Sequence, residues 1–279
     1  MVFSDSPWNF LILGHHGFIG KEIHNFLREE RIRVLTISER MDSKNTQGLL
    51  SSLITTQTIV INCIASGVTP GTGSYEQNYQ TNFELTQQLC DLTLNLGAHG
   101  FIHFASNYEL PRHIKPLASR TPYVETKSKG SKYCLLQIQS GRNVRLTYLP
   151  TVMGFNQPRG RFFRDFVTHI QEQIPFQIKY PTAQIEILTI PSMLKQLDLL
   201  NSSVKWGVHQ VTEDLQITVL ELAEILNKIL IDIGERRVKL VKADNKEFPV
   251  KQYESDSLQP YLEKYFANQL AQALGGTNE

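Results

Sequence analysis

The sequence predicts an α/β protein built on a doubly wound parallel sheet. Three observations predict it. Apolar runs of strand length alternate with segments of helical periodicity from about residue 9 to residue 150. The run TIVINCIA, residues 58–65, is nearly all apolar, as a strand covered on both faces requires. The first apolar run leads through a glycine-spaced turn straight into a helical pattern.

Taken in order, NFLIL (9–13) is a short buried strand. GKEIHNFLREERI follows as a helix, with Ile19, Ile23, Phe26 and Leu27 on one face. RVLTIS (33–38) is the second strand and 58–65 the third. Between them QGLLSSLI reads as helix, where a further strand is usual in such sheets. A helix spans about 78–96, with Leu85, Leu89, Leu92 and Leu96 at helical spacing and Gly97 as its stop. GFIHFAS (100–106) is a strand. Residues 122–139 form a helix with proline in its first turn, and NVRLTYLP (143–150) is another strand. After Pro150 the pattern loosens into a smaller α/β C-terminal lobe that would bind substrate. It holds a strand at 185–190, a helix from Pro191, a short strand at GVHQV, an amphipathic helix at 218–230, a strand at 237–242 and a helical tail. The predicted boundary divides residues 1–154 from 155–279.

The 279 residues carry a net charge of +1, which excludes an extended nucleic-acid footprint. No apolar run approaches the roughly 20 residues of a membrane span, and MVFSDSPW lacks the pattern of a signal peptide. Cys63, Cys90 and Cys134 have no metal-ligand spacing and suit reduced thiols in a cytoplasm. His15, His103 and His113 likewise lack ligand spacing, so no metal is expected.

In GHHGFIG, Gly14 would allow the tight turn out of the strand, Gly17 would admit a pyrophosphate, and Gly20 would let helix and sheet approach. A helix N-terminus presents unpaired N–H groups and partial positive charge to phosphates. The spacing alone also fits a bare turn; strand before and helix after favour a dinucleotide and a Rossmann-type sheet. An NAD site usually ends its second strand in an acid that binds the ribose 2′-hydroxyl. Here that place is Ser38, followed by Glu39 and Arg40. A hydroxyl and a guanidinium suit a 2′-phosphate, which favours NADP(H). NAD(H), with Glu39 as the ribose ligand, is the alternative. Tyr123 and Lys127 stand at i and i+4, on one side of a helix. A nearby ammonium favours the phenolate, and so a phenol able to move protons at neutral pH.

GxxGxxG, the YxxxK pair and a serine ending the preceding strand, in this order, resemble the extended short-chain dehydrogenase/reductase family of the NAD-dependent epimerase/dehydratase type. The glycine loop is most similar to that of nucleotide-sugar 4-ketoreductases. The resemblance implies Ser106, Tyr123 and Lys127 as catalytic residues: Ser106 polarises the reacting carbonyl, Tyr123 passes the proton, and Lys127 also holds the nicotinamide ribose. It implies cofactor contacts from His16, Phe18 and Ile19 in the loop, from Cys63, Ile64 and Ala65 in NCIASG, and from Pro150 and Val152 in PTV. Asn82 would tie its helix to a neighbouring strand. Asn107 would face substrate, and Arg159, Arg161 and Arg164 would clamp its diphosphate. The chain departs from the family pattern at Leu149, Ile185 and Ser192, where arginine, arginine and aspartate are common. The implied activity is reduction of a keto group on a nucleotide-linked 4-keto-6-deoxysugar with NADPH. An NAD-dependent epimerase or dehydratase and a non-catalytic dinucleotide sensor are the competing readings. A homodimer is the assembly common in the family.

Overall fold

A computed structural model describes residues 7–37, 46–69, 72–110, 121–201, 204–242 and 259–275. The chain forms two units. One comprises Met1–Pro150 and Ile190–Thr212, the other Thr151–Thr189 and Glu213–Glu279. The boundary thus falls four residues before the expected one, and residues 190–212 return to the first unit.

The first unit is built on a six-stranded sheet. In chain order its strands are β1 (Asn9–Leu13), β2 (Val34–Thr36), β3 (Thr58–Asn62), β4 (Gly100–Ser106) and β5 (Val144–Leu149). Its sixth strand is Gly207–Gln210, labelled β9 below. The spatial order is β2-β1-β3-β4-β5-β9, and every pairing is parallel. The chain runs from β1 outward to β2, then crosses back to β3 on the other side of β1. That reversal is the switch point at which open α/β sheets bind ligands, beyond the carboxyl ends of their strands. Helix α1 (Phe18–Glu29) makes the first crossover, and α2 (Thr46–Leu53) occupies the place of the usual extra strand, as QGLLSSLI predicted. β2 is consequently a three-residue edge strand.

The helix expected at 78–96 is composite. It comprises α3 (Tyr75–Tyr79), a π-helical turn (Gln80–Glu84) and α4 (Leu85–Asn95). Ser74 and Gln77 form a reciprocal capping box that starts it. The fully buried line is Asn82, Thr86, Leu89, Cys90 and Thr93, not the leucine row. Leu85, Leu92 and Leu96 pack on its flank, only partly buried. Helix α5 (Pro122–Gln139) begins where predicted, with the Thr121 side chain accepting the Val124 N–H and proline in the first turn. It crosses the π turn so closely that a Cβ on Gly130 would lie 2.3 Å from the Asn82 carbonyl oxygen. The core between sheet and helices is formed by Leu11, Leu13, Val60, Leu89, Phe101 and Leu146 with their neighbours.

The returning segment earns its place through polar contacts. It carries a helix at Ile190–Leu197, labelled α7 below, and ends in β9. Buried Arg145, on β5, donates from Nη1 to the Leu197 carbonyl at 2.8 Å, satisfying the end of that helix. The Gln196 side chain bonds both the N–H and the carbonyl of Thr212, each at 2.9 Å.

The second unit contains short strands that residue patterns did not show. β6 (Thr151–Met153), β8 (Gln184–Thr189) and β10 (Leu215–Thr218) form one sheet, and β7 (Phe176–Ile178) pairs with β11 (Leu240–Lys242). Helices α6 (Phe162–Gln171), α8 (Val219–Asp232) and α9 (Pro260–Leu274) complete it, with Phe163, Phe166, Leu222, Leu226 and Phe266 buried among them. Among the described residues no helix is long and apolar enough to cross a membrane.

Gly130→Ala tests the close crossing of α5 and the π turn. The added methyl meets backbone, which cannot rotate away. Overpacking of this kind costs about 1–3 kcal/mol. Urea unfolding should show that loss in midpoint, with Gly141→Ala, at a positive φ but in open space, as the comparison.

Candidate active site

The glycine loop leaves the carboxyl end of β1 at the switch point. Gly14 has φ +83°, a backbone state that side chains disfavour. A Cβ on Gly20 would lie 2.3 Å from the Gly14 carbonyl oxygen, so α1 can approach the strand only through glycine there. The Gly17 N–H donates to the Gly14 carbonyl at 3.0 Å and closes the turn. Gly17 is also the N-cap of α1 and supplies no side-chain cap. The first-turn N–H groups of a twelve-residue helix therefore face outward beside Phe18, Ile19 and Gly20. This cradle fits the pyrophosphate of a dinucleotide. His16 is exposed on the loop, its ring 3.9 Å from that of His15. Burial, then the neighbouring His16 and His24, push the His15 imidazole below its ordinary value. Ser38, Glu39, Arg40 and His113 lie outside the described residues.

The strand beside β1 delivers the next piece. Cys63 donates its N–H to the Leu13 carbonyl at 2.9 Å, so the segment Cys63-Ile64-Ala65 starts against the end of β1. Burial pushes the Cys63 thiol up to about 12, so it stays protonated and unreactive. Asn82 then clamps the segment. Its Oδ1 accepts the Ser66 N–H at 2.8 Å, and its Nδ2 donates to the Ser66 carbonyl and to Thr126 Oγ1, both at 3.0 Å. The expected tie therefore runs from the helix to the loop after β3 and on to α5.

Ser106 ends β4, as expected, and caps a 3₁₀ turn, Asn107–Glu109. Its Oγ accepts the Tyr108 N–H at 3.3 Å, and its own N–H donates to Glu109 Oε1 at 2.7 Å. The hydroxyl proton remains on Ser106 for donation elsewhere. Asn107 is buried at the start of the turn. Tyr123 is half-buried in the first turn of α5, while Lys127, one turn on, is only 4 % exposed. Lys127 Nζ lies 3.4 Å from His103 Nε2, and His103 Nδ1 lies 3.2 Å from Asn62 Nδ2. Burial lowers the Lys127 pKa, with Glu109, Cys134 and Cys63 pulling the other way. Burial, then Lys127, holds His103 well below the usual imidazole range. Glu109 is pushed up by burial, against the pull of Lys127 and its hydrogen bonds to Ser131 and the Ser106 N–H.

Glu109 and Asn62 were not singled out from sequence, and His103 was expected only to pack. The spacing Ser106-x-x-Glu109 is a capping-box pattern that could have flagged the glutamate. Nothing in the sequence pairs Asn62 with His103, which are strand neighbours in register only after folding. Pro150 closes the first unit. Val152 falls in the second unit, on β6. Arg159, Arg161 and Arg164 also belong to the second unit, around the start of α6; Arg161 is its N-cap residue. The Asp165 carboxylate accepts the Gly160 N–H at 2.7 Å inside this basic loop. Among the described residues no cluster of three His, Cys, Asp or Glu is placed to hold a metal ion.

The profile of the NAD dependent epimerase/dehydratase family matches residues 10–183, more than half of the chain. The chain belongs to this family. It is thus an enzyme fold of the extended short-chain dehydrogenase/reductase type, carrying the Rossmann-type sheet that the sequence predicted. No curated protein sequence matches the chain. Solved structures similar to this family member include UDP-glucuronic acid 4-epimerase from Bacillus cereus in complex with NAD. That structure is 18 % identical, with 97 % of this chain and 100 % of the other covered and a TM-score of 0.73. A dTDP-glucose 4,6-dehydratase from Streptomyces venezuelae with NAD bound is 16 % identical, with 96 % and 97 % covered and a TM-score of 0.72. MoeE5 in complex with UDP-glucose and NAD is 18 % identical, with 96 % and 99 % covered and a TM-score of 0.70.

Asn82→Ala is expected to release the Ser66 backbone and Thr126 together. A buried group left unpaired costs about 1–3 kcal/mol, so chemical denaturation should show a loss of at least that range. Dinucleotide affinity, measured by calorimetry, should fall with it, because the segment from Cys63 to Ser66 loses its clamp.

Proposed function

We propose that this family member acts on a nucleotide-linked sugar, coupling hydride exchange to proton transfer at Tyr123. The observation that supports it is the placement within one unit of an uncapped helix N-terminus at the switch point and a YxxxK pair on α5. A nicotinamide dinucleotide held there would supply the hydride chemistry. Gly14, Gly17 and Gly20 would take its pyrophosphate, and Cys63, Ile64 and Ala65 would line its path. Ser106 would donate a hydrogen bond to the reacting oxygen. Tyr123, half-buried where Lys127 is fully enclosed, would move the proton to or from that oxygen. Arg159, Arg161 and Arg164 would take the diphosphate of the substrate, by charge-assisted hydrogen bonds.

The finer reading is a 4-ketoreductase using NADPH. Ser38 at the end of the second predicted strand, with Arg40 two residues on, supports it, since an acid at that place would repel a 2′-phosphate. A second reading is an epimerase or dehydratase with resident NAD. It is supported by the similar structures above, which hold NAD.

Tyr123→Phe should keep the fold and dinucleotide affinity and reduce turnover of a nucleotide keto-sugar by at least about a hundredfold. Near-normal turnover would remove Tyr123 from the reaction. Cofactor extracted from the purified protein separates the two readings: retained NAD supports the epimerase or dehydratase, exchangeable NADPH the reductase. Arg40→Ala extends that test. A charged hydrogen bond contributes about 1.5–3 kcal/mol, so NADPH affinity should fall tenfold or more while NADH affinity holds. Equal weakening of both would point to Glu39 as the ribose ligand.

A further inference from the structure

Beneath Tyr123, three side chains from three elements form a buried chain: Asn62 at the end of β3, His103 in β4 and Lys127 in α5. The donors and acceptors in it are fixed from one end. The Ile64 N–H can only donate, and it meets Asn62 Oδ1 at 3.1 Å. The amide nitrogen of Asn62 is thereby turned toward Thr86 Oγ1 at 3.4 Å and His103 Nδ1 at 3.2 Å. An amide nitrogen donates, so His103 Nδ1 accepts and carries no proton. His103 is fully buried and neutral, so its one proton sits on Nε2. That N–H faces Lys127 Nζ at 3.4 Å. An ammonium has no lone pair and cannot accept it; an amine can.

We propose that Asn62 and His103 hold Lys127 as a neutral amine, making it the proton acceptor for Tyr123 rather than a fixed cation. The other groups facing Lys127 are compatible with this. Cys63, after β3, and Cys134, one face along α5, are buried thiols, and the Cys63 thiol is held protonated by burial. Glu109, in the turn after β4, would favour an ammonium when ionised, but burial favours its neutral carboxyl and weakens that pull. Desolvation of Lys127 acts in the same direction as the His103 N–H.

The step balances without any further reactant. The phenolic O–H of Tyr123 breaks, an N–H forms on Lys127, and phenol plus amine become phenolate plus ammonium. The phenolate is then the base that removes a sugar hydroxyl proton in the oxidative direction. This consequence rests on Tyr123 and Lys127 being the proton-transfer pair proposed above; the state of Lys127 does not.

The test is a pH titration of the intact protein carrying ¹³C,¹⁵N-lysine, read at the Lys127 Cε and Nζ resonances and assigned by their loss in Lys127→Arg. An ordinary lysine titrates near 10.4, so at pH 8 only about one molecule in 250 is amine. Lys127 is expected to be amine in most molecules at pH 8 and to protonate at lower pH. An ammonium persisting to pH 10 in wild type overturns the proposal, even if no variant folds. Asn62→Asp keeps the acceptor for Ile64 but accepts from His103 Nδ1, which moves the imidazole proton and lets Nε2 accept from an ammonium. His103→Gln can likewise present an oxygen. Both should move the Lys127 titration up by at least one pH unit, a tenfold gain in ammonium. An unchanged titration in both would remove His103 and Asn62 from the account. No substrate is needed, so inactivity toward nucleotide sugars would overturn the proposed function and leave this result standing.

Discussion

One buried amide holds the working parts of the first unit in register. Asn82 grips the Ser66 backbone on both its N–H and its carbonyl, and reaches Thr126 with the same nitrogen. Thr126 immediately precedes Lys127, so the loop at the cofactor cradle and the reactive face of α5 cannot slide independently. The local geometry carries the cost. Residues 80–84 widen into a π turn, a form uncommon outside functional sites. Gly130 must also lack a side chain where α5 crosses the Asn82 carbonyl.

A second constraint is dielectric. Lys127, His103 and Glu109 are all enclosed, and each is pushed by burial toward its neutral form. Their local bonds differ in kind. Glu109 is held by a turn, through the Ser106 N–H, and keeps that tie in either protonation state. His103 and Lys127 are held only by elements distant in sequence. The polarity of this pocket is therefore a tertiary property, created when β3, β4 and α5 come together.

Much of the first unit was legible because its signals are local. Apolar runs marked β1, β3, β4 and β5, and Thr121 with Pro122 marked the start of α5. The glycine spacing marked the turn at Gly14 because a positive φ and a close helix approach each demand glycine. The π turn was invisible, since its one extra residue per turn leaves helical periodicity almost unchanged over five residues. The leucine row at 85–96 misled about the buried face, because that face is chosen by Asn82 and its polar partners rather than by apolar content. In the second unit β6, β7 and β10 are three or four residues long, too short to establish alternation. The contact between His103 and Lys127 spans 24 positions and has no spacing rule.

The interleaved layout of the two units has a consequence for synthesis. β5 ends at Leu149, yet its outer neighbour β9 begins only at Gly207. At about 5–20 residues per second, the growing chain leaves that edge unpaired for several seconds. Meanwhile β8 is finished long before its antiparallel partner β10 leaves the ribosome. Neither unit corresponds to a contiguous stretch that can be completed first. Each must wait, partly assembled and with backbone donors and acceptors open, for the other's segment to be made, so the nascent chain has a built-in interval of dependence on chaperones or on slow elongation.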